Sequence, residues 1–242
     1  MPIVYSNTSD GYQASGLNTN WNNVHDAVGQ FNPATTSALQ GLNGVRYEYV
    51  TGRGGTSYYL VRSFFDFNTS GINSTVASAT FSVKTYLNNA ATPIVVCKSG
   101  HDPSTVTDDW FSTWLTGQSI TLSGWSSGDV TNYSDTAGTT VASNGSFTDI
   151  TLNASALSDL VSLSSFKVCV LHANDLADTA PTSGTIRTGF YFADSGGTGS
   201  DPHIDYTLST GYGNDIIGVA SANISKVNGV ETANIEKVNG VD

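Results

Sequence analysis

Chemistry by this chain would have to come from one serine motif, four histidines and a scatter of carboxylates. Gly124-Trp-Ser126-Ser-Gly128 matches the G-x-S-x-G turn that presents a nucleophilic serine, but that turn needs a helix behind it, and Asp129-Val-Thr-Asn-Tyr offers none. His25, His101, His172 and His203 lie far apart, without the His-x-His or HExxH spacing that gathers zinc. His172 and His203 read as strand residues on a polar face. Glycoside cleavage needs two opposed carboxylates. Glu48 is the only glutamate ahead of the C-terminal segment, and nothing in the spacing of Asp66, Asp108, Asp109, Asp149, Asp194, Asp201 and Asp205 singles out an acid and a base. No catalytic residue is expected. Asp-rich turns could hold a structural calcium, with Asp194–Asp201 the candidate, and no other cofactor is expected.

Aromatic side chains allow a second kind of chemistry, stacking on sugars. Trp110 and Trp114 fall at helical spacing and read as packing residues, which leaves Trp21 and Trp125 as candidate glycan platforms. Cys97 in PIVVCK and Cys169 in FKVCVLH sit in strand-like runs and read as buried free thiols.

The composition decides which elements could position these groups. The chain has 242 residues, of which 12% are charged, and Ser, Thr, Asn and Gly make up roughly 44%. Its surface must therefore be mostly neutral and hydrogen-bonding, as in exposed β-proteins, and long helices are not expected. A net charge of −11 repels phosphate backbones and anionic headgroups, so nucleic acid is not an expected partner. No run is apolar enough to span a membrane, and the opening MPIVYSNTSDGYQ has neither the basic nor the apolar region of a signal peptide. Neither membrane insertion nor signal-directed export is expected.

The dominant periodicity is two. Ala77, Ala79, Phe81, Val83 and Leu87 fall on one side of 74–87; Tyr59, Val61, Phe65 and Phe67 on one side of 58–67; Ile186, Phe190 and Phe192 on one side of 185–192; Ile204, Tyr206 and Leu208 on one side of 203–208. Further strands are predicted at 45–50, 94–98, 119–122, 146–152 and 166–172. These amount to about nine or ten short strands separated by Gly, Asn, Asp and Pro turns, the signature of an all-β, antiparallel jelly-roll β-sandwich. One or two short helices are predicted, after Asp108-Asp109 (Trp110, Phe111, Trp114, Leu115) and after Asn153 (Ala156, Leu157, Leu160, Val161). Residues 11–44 read as a long ordered loop or lid carrying Trp21 and Phe31.

The order of these elements resembles DNRLRE-type jelly-roll domains. The resemblance rests on Leu60-Val61-Arg62-Ser63-Phe64-Phe65-Asp66-Phe67, a loop to Gly71-Ile72, and Val76-Ala77-Ser78-Ala79-Thr80-Phe81-Ser82-Val83. It continues through Trp110 and Trp125, Ile150-Thr151-Leu152-Asn153 into Ala156-Leu157, Phe166–His172 and Pro202-His203-Ile204-Asp205-Tyr206. It spans residues 45–208 in spacing and residue type, without the literal DNRLRE string. It implies a carbohydrate-binding or surface-display role.

Beyond Thr210 a repeat of period eleven begins, GVASANISKVN at 218–228, then GVETANIEKVN at 229–239, then Gly240-Val241-Asp242. The body is therefore taken as residues 1–210, and 211–242 as an assembly segment. Asn228-Gly229 and Asn239-Gly240 suit type I′ hairpin turns, which would set Val227 opposite Val230 and Lys226 opposite Glu231. Short helices over 220–227 and 232–238, each stopped at Asn-Gly, are the rival. Either arrangement leaves Ile224, Val227, Val230, Ile235 and Val238 as candidate assembly residues, because an isolated hairpin is marginal in water. Repeats of this kind resemble those near the ends of bacteriophage structural proteins. The combined expectation is a non-enzymatic virion protein, a capsid decoration or fibre-like element. Its expected partners are other virion proteins, further copies of itself and a host-surface glycan. A carbohydrate-binding module or adhesin, then a tailspike-type hydrolase, are the alternatives.

Overall fold

The computed structural model describes residues 1–26, 44–53, 55–102, 113–115, 124–193 and 198–209, and the backbone of 226–227 and 230–231. Its elements run β1 (Ile3–Tyr5), β2 (Gly11–Ala14), α1 (Trp21–His25), β3 (Val45–Gly52), β4 (Gly55–Asn68), β5 (Val76–Asn88), β6 (Pro93–Lys98), β7 (Thr139–Thr140), β8 (Phe147–Thr151), α2 (Ala154–Ser162), β9 (Ser165–His172), α3 (Ala173–Leu176), β10 (Thr185–Phe190), β11 (His203–Leu208), β12 (Lys226–Val227) and β13 (Val230–Glu231). The fold is the expected all-β antiparallel sandwich of jelly-roll kind, with few short helices.

Two layers are built from these strands. An outer one pairs β1 with β11, β11 with β5 and β5 with β8. An inner one runs β10-β3-β4-β9-β6-β7, with β2 also on β4. β5 belongs to both, because its first part pairs with β11 and its last residues with β10. Between the layers lies the main core, where Phe81, Val83, Ile150 and Ile204 of the outer sheet meet Phe65, Phe67, Val96, Val168 and Val170 of the inner one.

The inner sheet is covered on its second face as well. Phe64, Val95, Cys97, Cys169 and Leu171 point there and pack against Trp114, Leu115, Trp125 and Leu176. Hence every residue of β4 from Leu60 to Phe67 is buried, where one-face alternation predicts half of them. A strand buried on both sides loses its polar alternation.

Two bulges alter the alternation in β5. Leu208 pairs with Val76, passing over Ala77, and Phe190 pairs with Thr85, passing over Tyr86. Each extra residue turns the following side chains to the opposite face. Ala79, Phe81 and Val83 are buried as expected, but Ala77, Leu87 and Leu208 are exposed. Ile186 is only partly buried, against Trp21 and Tyr47, apart from the main core that holds Phe190 and Phe192.

The segment expected as a loop over 11–44 instead contains β2 and α1. α1 starts where the Asn20 side chain accepts the Asn22 N–H. The helix expected after Asn153 is present: the Asn153 side chain accepts from the Ala156 N–H, and Ala156 and Leu160 are buried beneath it. Residues 27–43 with Phe31, 103–112 with Trp110 and Phe111, and the strand expected at 119–122 lie outside the described residues, as does the first half, 194–197, of the 194–201 calcium candidate. Cys97 and Cys169 are buried free thiols and are direct cross-strand partners. Among the described residues no helix is long and apolar enough to cross a membrane.

Candidate functional site

Arg62 organises the second face of the inner sheet. It stands on β4 between Leu60 and Phe64, pointing away from the main core, and no part of it is exposed. A guanidinium in such a place needs a fixed counter-charge and hydrogen bonds. Asp175 of α3 supplies both, accepting from Nε at 2.8 Å and from Nη2 at 2.7 Å, while the His25 carbonyl accepts from Nη2 at 3.1 Å. The indoles of Trp125 and Trp114 lie 5.0 and 5.7 Å from the guanidinium carbon, on ring faces that attract a cation.

α1 and α3 are held to this centre through His25. Its Nδ1 is 2.7 Å from Asp26 Oδ1 and its Nε2 is 2.9 Å from the Asp175 carbonyl. Both ring nitrogens therefore face acceptors, and the ring stacks on Trp125 at 4.2 Å. The other oxygen of Asp26 accepts the Gly124 N–H at 2.8 Å, which ties the Gly124-Trp125 segment to α1. Trp21 Nε1 donates to Asp178 Oδ1 at 2.7 Å; Asp178 ends α3 in the left-handed region, at φ 50°, a conformation that Asp tolerates. Beside them His172 lies flat on Tyr47, 4.4 Å away, and its Nδ1 accepts the Asn174 N–H that opens α3. Burial pushes the His172 imidazole down to about 4 and, with Asp175 nearby, the Tyr47 phenol up to about 12.

This arrangement clamps α1, α3 and the Gly124-Trp125 segment onto β4. Its charged groups are engaged with one another inside the protein. Trp21 and Trp125, 9% and 2% exposed, are parts of the clamp, which corrects their reading as sugar platforms. His172 is buried, not on a polar face, because the cover lies over the end of β9. His101 is likewise buried, with Ser99 Oγ 2.7 Å from its Nδ1 and its imidazole pushed down to about 3. The Gly124–Gly128 motif is a turn: Gly124 has φ +68°, and the Ser126 N–H and hydroxyl both bond Asp129 Oδ2, at 2.8 and 3.1 Å, so no histidine activates the serine. Among the described residues no three His, Cys, Asp or Glu side chains are grouped to hold a metal ion. Composition and spacing missed the network; its one visible sign was an arginine inside the apolar run Leu60–Phe67.

The C-terminal repeat yields a separate feature. β12 and β13 form a two-stranded antiparallel sheet in which Lys226 pairs with Glu231 and Val227 with Val230, the register that an Asn228-Gly229 turn requires. At 226–227, the end of the helix considered over 220–227, the structure has a strand; 220–225 and the helix considered over 232–238 lie outside the described residues. Ile224, Ile235 and Val238 lie outside the described residues.

No protein-family model matches this chain, and no curated protein matches it at a significant level.

Proposed function

We propose that this is a non-enzymatic structural protein of a bacteriophage virion, a capsid decoration or fibre-like element whose sandwich body faces solvent and whose C-terminal repeats attach it to other virion proteins or to further copies. The single observation that carries this reading is the pairing of β12 with β13 in the register set by Asn-Gly. The second repeat has the same pattern, Lys237-Val-Asn-Gly-Val-Asp242 against Lys226-Val-Asn-Gly-Val-Glu231. Two-residue strands bury too little to be stable alone, and their open edges are templates for strand addition. The clamped interior of the body, in which Arg62 is bonded to Asp175 and to the His25 carbonyl, supports a role in binding over one in catalysis.

The reading is tested by light scattering and by occupancy on purified particles, comparing the whole chain with a version lacking residues 211–242. Loss of both self-association and particle binding, with the melting transition of the body retained, is the expected result. Unchanged mass and unchanged occupancy would overturn it.

A further inference from the structure

We infer that the open edge of β8 is the acceptor for the repeats: residues 235–238 of a second copy add as a strand to Phe147–Thr151 and extend the outer sheet. This rests on the attachment role of the repeats and names the surface that receives them.

The edge follows from the register. β8 pairs only with β5, setting Ile150 opposite Phe81 and Thr148 opposite Val83, and the Leu152 N–H bonds the Ala79 carbonyl at 3.0 Å. Backbone groups alternate in direction along an antiparallel strand, so those of Thr148 and Ile150 also face β5. Those of Phe147, Asp149 and Thr151 face away from it, and among the described residues nothing bonds them. At its opposite end the outer sheet is stitched to the inner one, where Ser6 bridges Phe67 and the Asn7 N–H bonds the Asp66 carbonyl at 2.8 Å. No such stitch closes β8. It also carries no proline and no bulge, the usual guards of an edge strand, and Asp149 is its one charge.

Charge selects the occupant. Ser82 Oγ bonds Asp149 Oδ1 at 2.7 Å, and among the described residues nothing bonds Oδ2. Two β8 edges meeting in antiparallel register about Asp149 would set like charges opposite each other, which disfavours a second β8. The repeats carry the opposite sign within strand-forming runs, Ile-Ser-Lys-Val at 224–227 and Ile-Glu-Lys-Val at 235–238. Lys226 faces Glu231 across the β12–β13 pair, which leaves Lys237 for Asp149. With those two opposite each other in a parallel strand, Ile235 comes beside Phe147 and Val238 beside Ile150. Among the described residues β12 and β13 pair only with each other, so one copy leaves both the repeats and the β8 edge open to another. Residues 210–225 extend to roughly 55 Å at most, enough to reach a neighbouring body.

The test is light scattering of the whole chain over a dilution series. Asp149→Lys and Lys237→Asp should each weaken association at least about threefold. An equimolar mixture of the two variants should associate as the parent does, because each copy then offers the other an opposite charge at both contacts. Asp149→Pro removes an N–H that faces away from β5, so it should keep the melting transition and weaken association about tenfold or more. Should that variant misfold, the charge variants, made at an exposed position of β8, decide alone. A parent that stays monomeric, or folded variants that associate like the parent, would overturn the proposal. Recovery in the double variant but not in the mixture would also overturn it, and would seat the repeats on their own body. Association unchanged by the edge variants but lost without residues 211–242 would overturn this acceptor and leave the attachment role standing.

Discussion

Arg62 and Asp175, 113 residues apart in sequence, meet as a two-pronged ion pair that water does not reach. It joins the central strand of the inner sheet to the helix after β9. Because both charges are desolvated, removing one leaves the other without compensation.

Asp175→Ala should therefore destabilise the body by about 3–5 kcal/mol, as should Arg62→Ala, whereas Arg62→Met combined with Asp175→Leu should cost much less than the sum of the single changes. Urea unfolding of the four proteins measures this. Additive losses would show that the pair is not coupled.

Acid should weaken the body through its buried histidines. His172 stays neutral in the folded protein down to about 4 and His101 to about 3, against 6.5 when unfolded. Below 6.5 the unfolded chain takes up protons that the folded one refuses, so stability falls with pH until the folded values are passed. For His172 the full loss amounts to roughly 3 kcal/mol. His172→Asn keeps an acceptor for the Asn174 N–H and should narrow the gap between urea midpoints at pH 7 and pH 4.5.

Gly44 is a close-approach site. An added Cβ would lie 2.6 Å from Phe190 Cδ2 and 2.7 Å from the Thr188 carbonyl, and backbone cannot give way as a flexible side chain can. Gly44→Ala should cost about 1–3 kcal/mol. Gly52→Ala, with nothing within 4 Å, should stay within about 0.5 kcal/mol of the parent in the same thermal melt.

Burial raises the Cys97 and Cys169 thiols well above their ordinary range. Both should resist a thiol-reactive dye in the native protein and react fully in urea, which an absorbance time course resolves.

The repeat offers a charge test. Lys226→Glu sets like charges opposite each other in the observed register, and a cross-strand pair contributes about 0.2–1 kcal/mol. Association measured by light scattering should weaken, and Lys226→Glu with Glu231→Lys should restore it.

What the sequence made legible was local. The alternation of Ala79, Phe81 and Val83, the Asn153 cap and the Lys226–Glu231 register each follow from residues close together in the chain. The clamp was not legible, because Arg62, His25 and Asp175 come from three separate stretches and carry no spacing that unites them. Ala77 and Leu87 were misjudged because bulges arise from the partner strand's register, which alternation along a single strand does not contain. Trp21 and Trp125 looked available for the same reason: the layer that covers them is built only when distant segments meet.

The pairing of β1 with β11 places Tyr5 beside His203, and the Tyr206 N–H bonds the Pro2 carbonyl at 3.1 Å. A ribosome makes the first of these strands long before the last. Throughout translation of the body, Ile3–Tyr5 must wait without its neighbour, and the outer sheet closes only as the repeats begin to emerge. Closure is thus a late, long-range event of the kind that slows β-rich chains, and it leaves Ile3–Tyr5 open to mispairing until His203–Asp205 has been made.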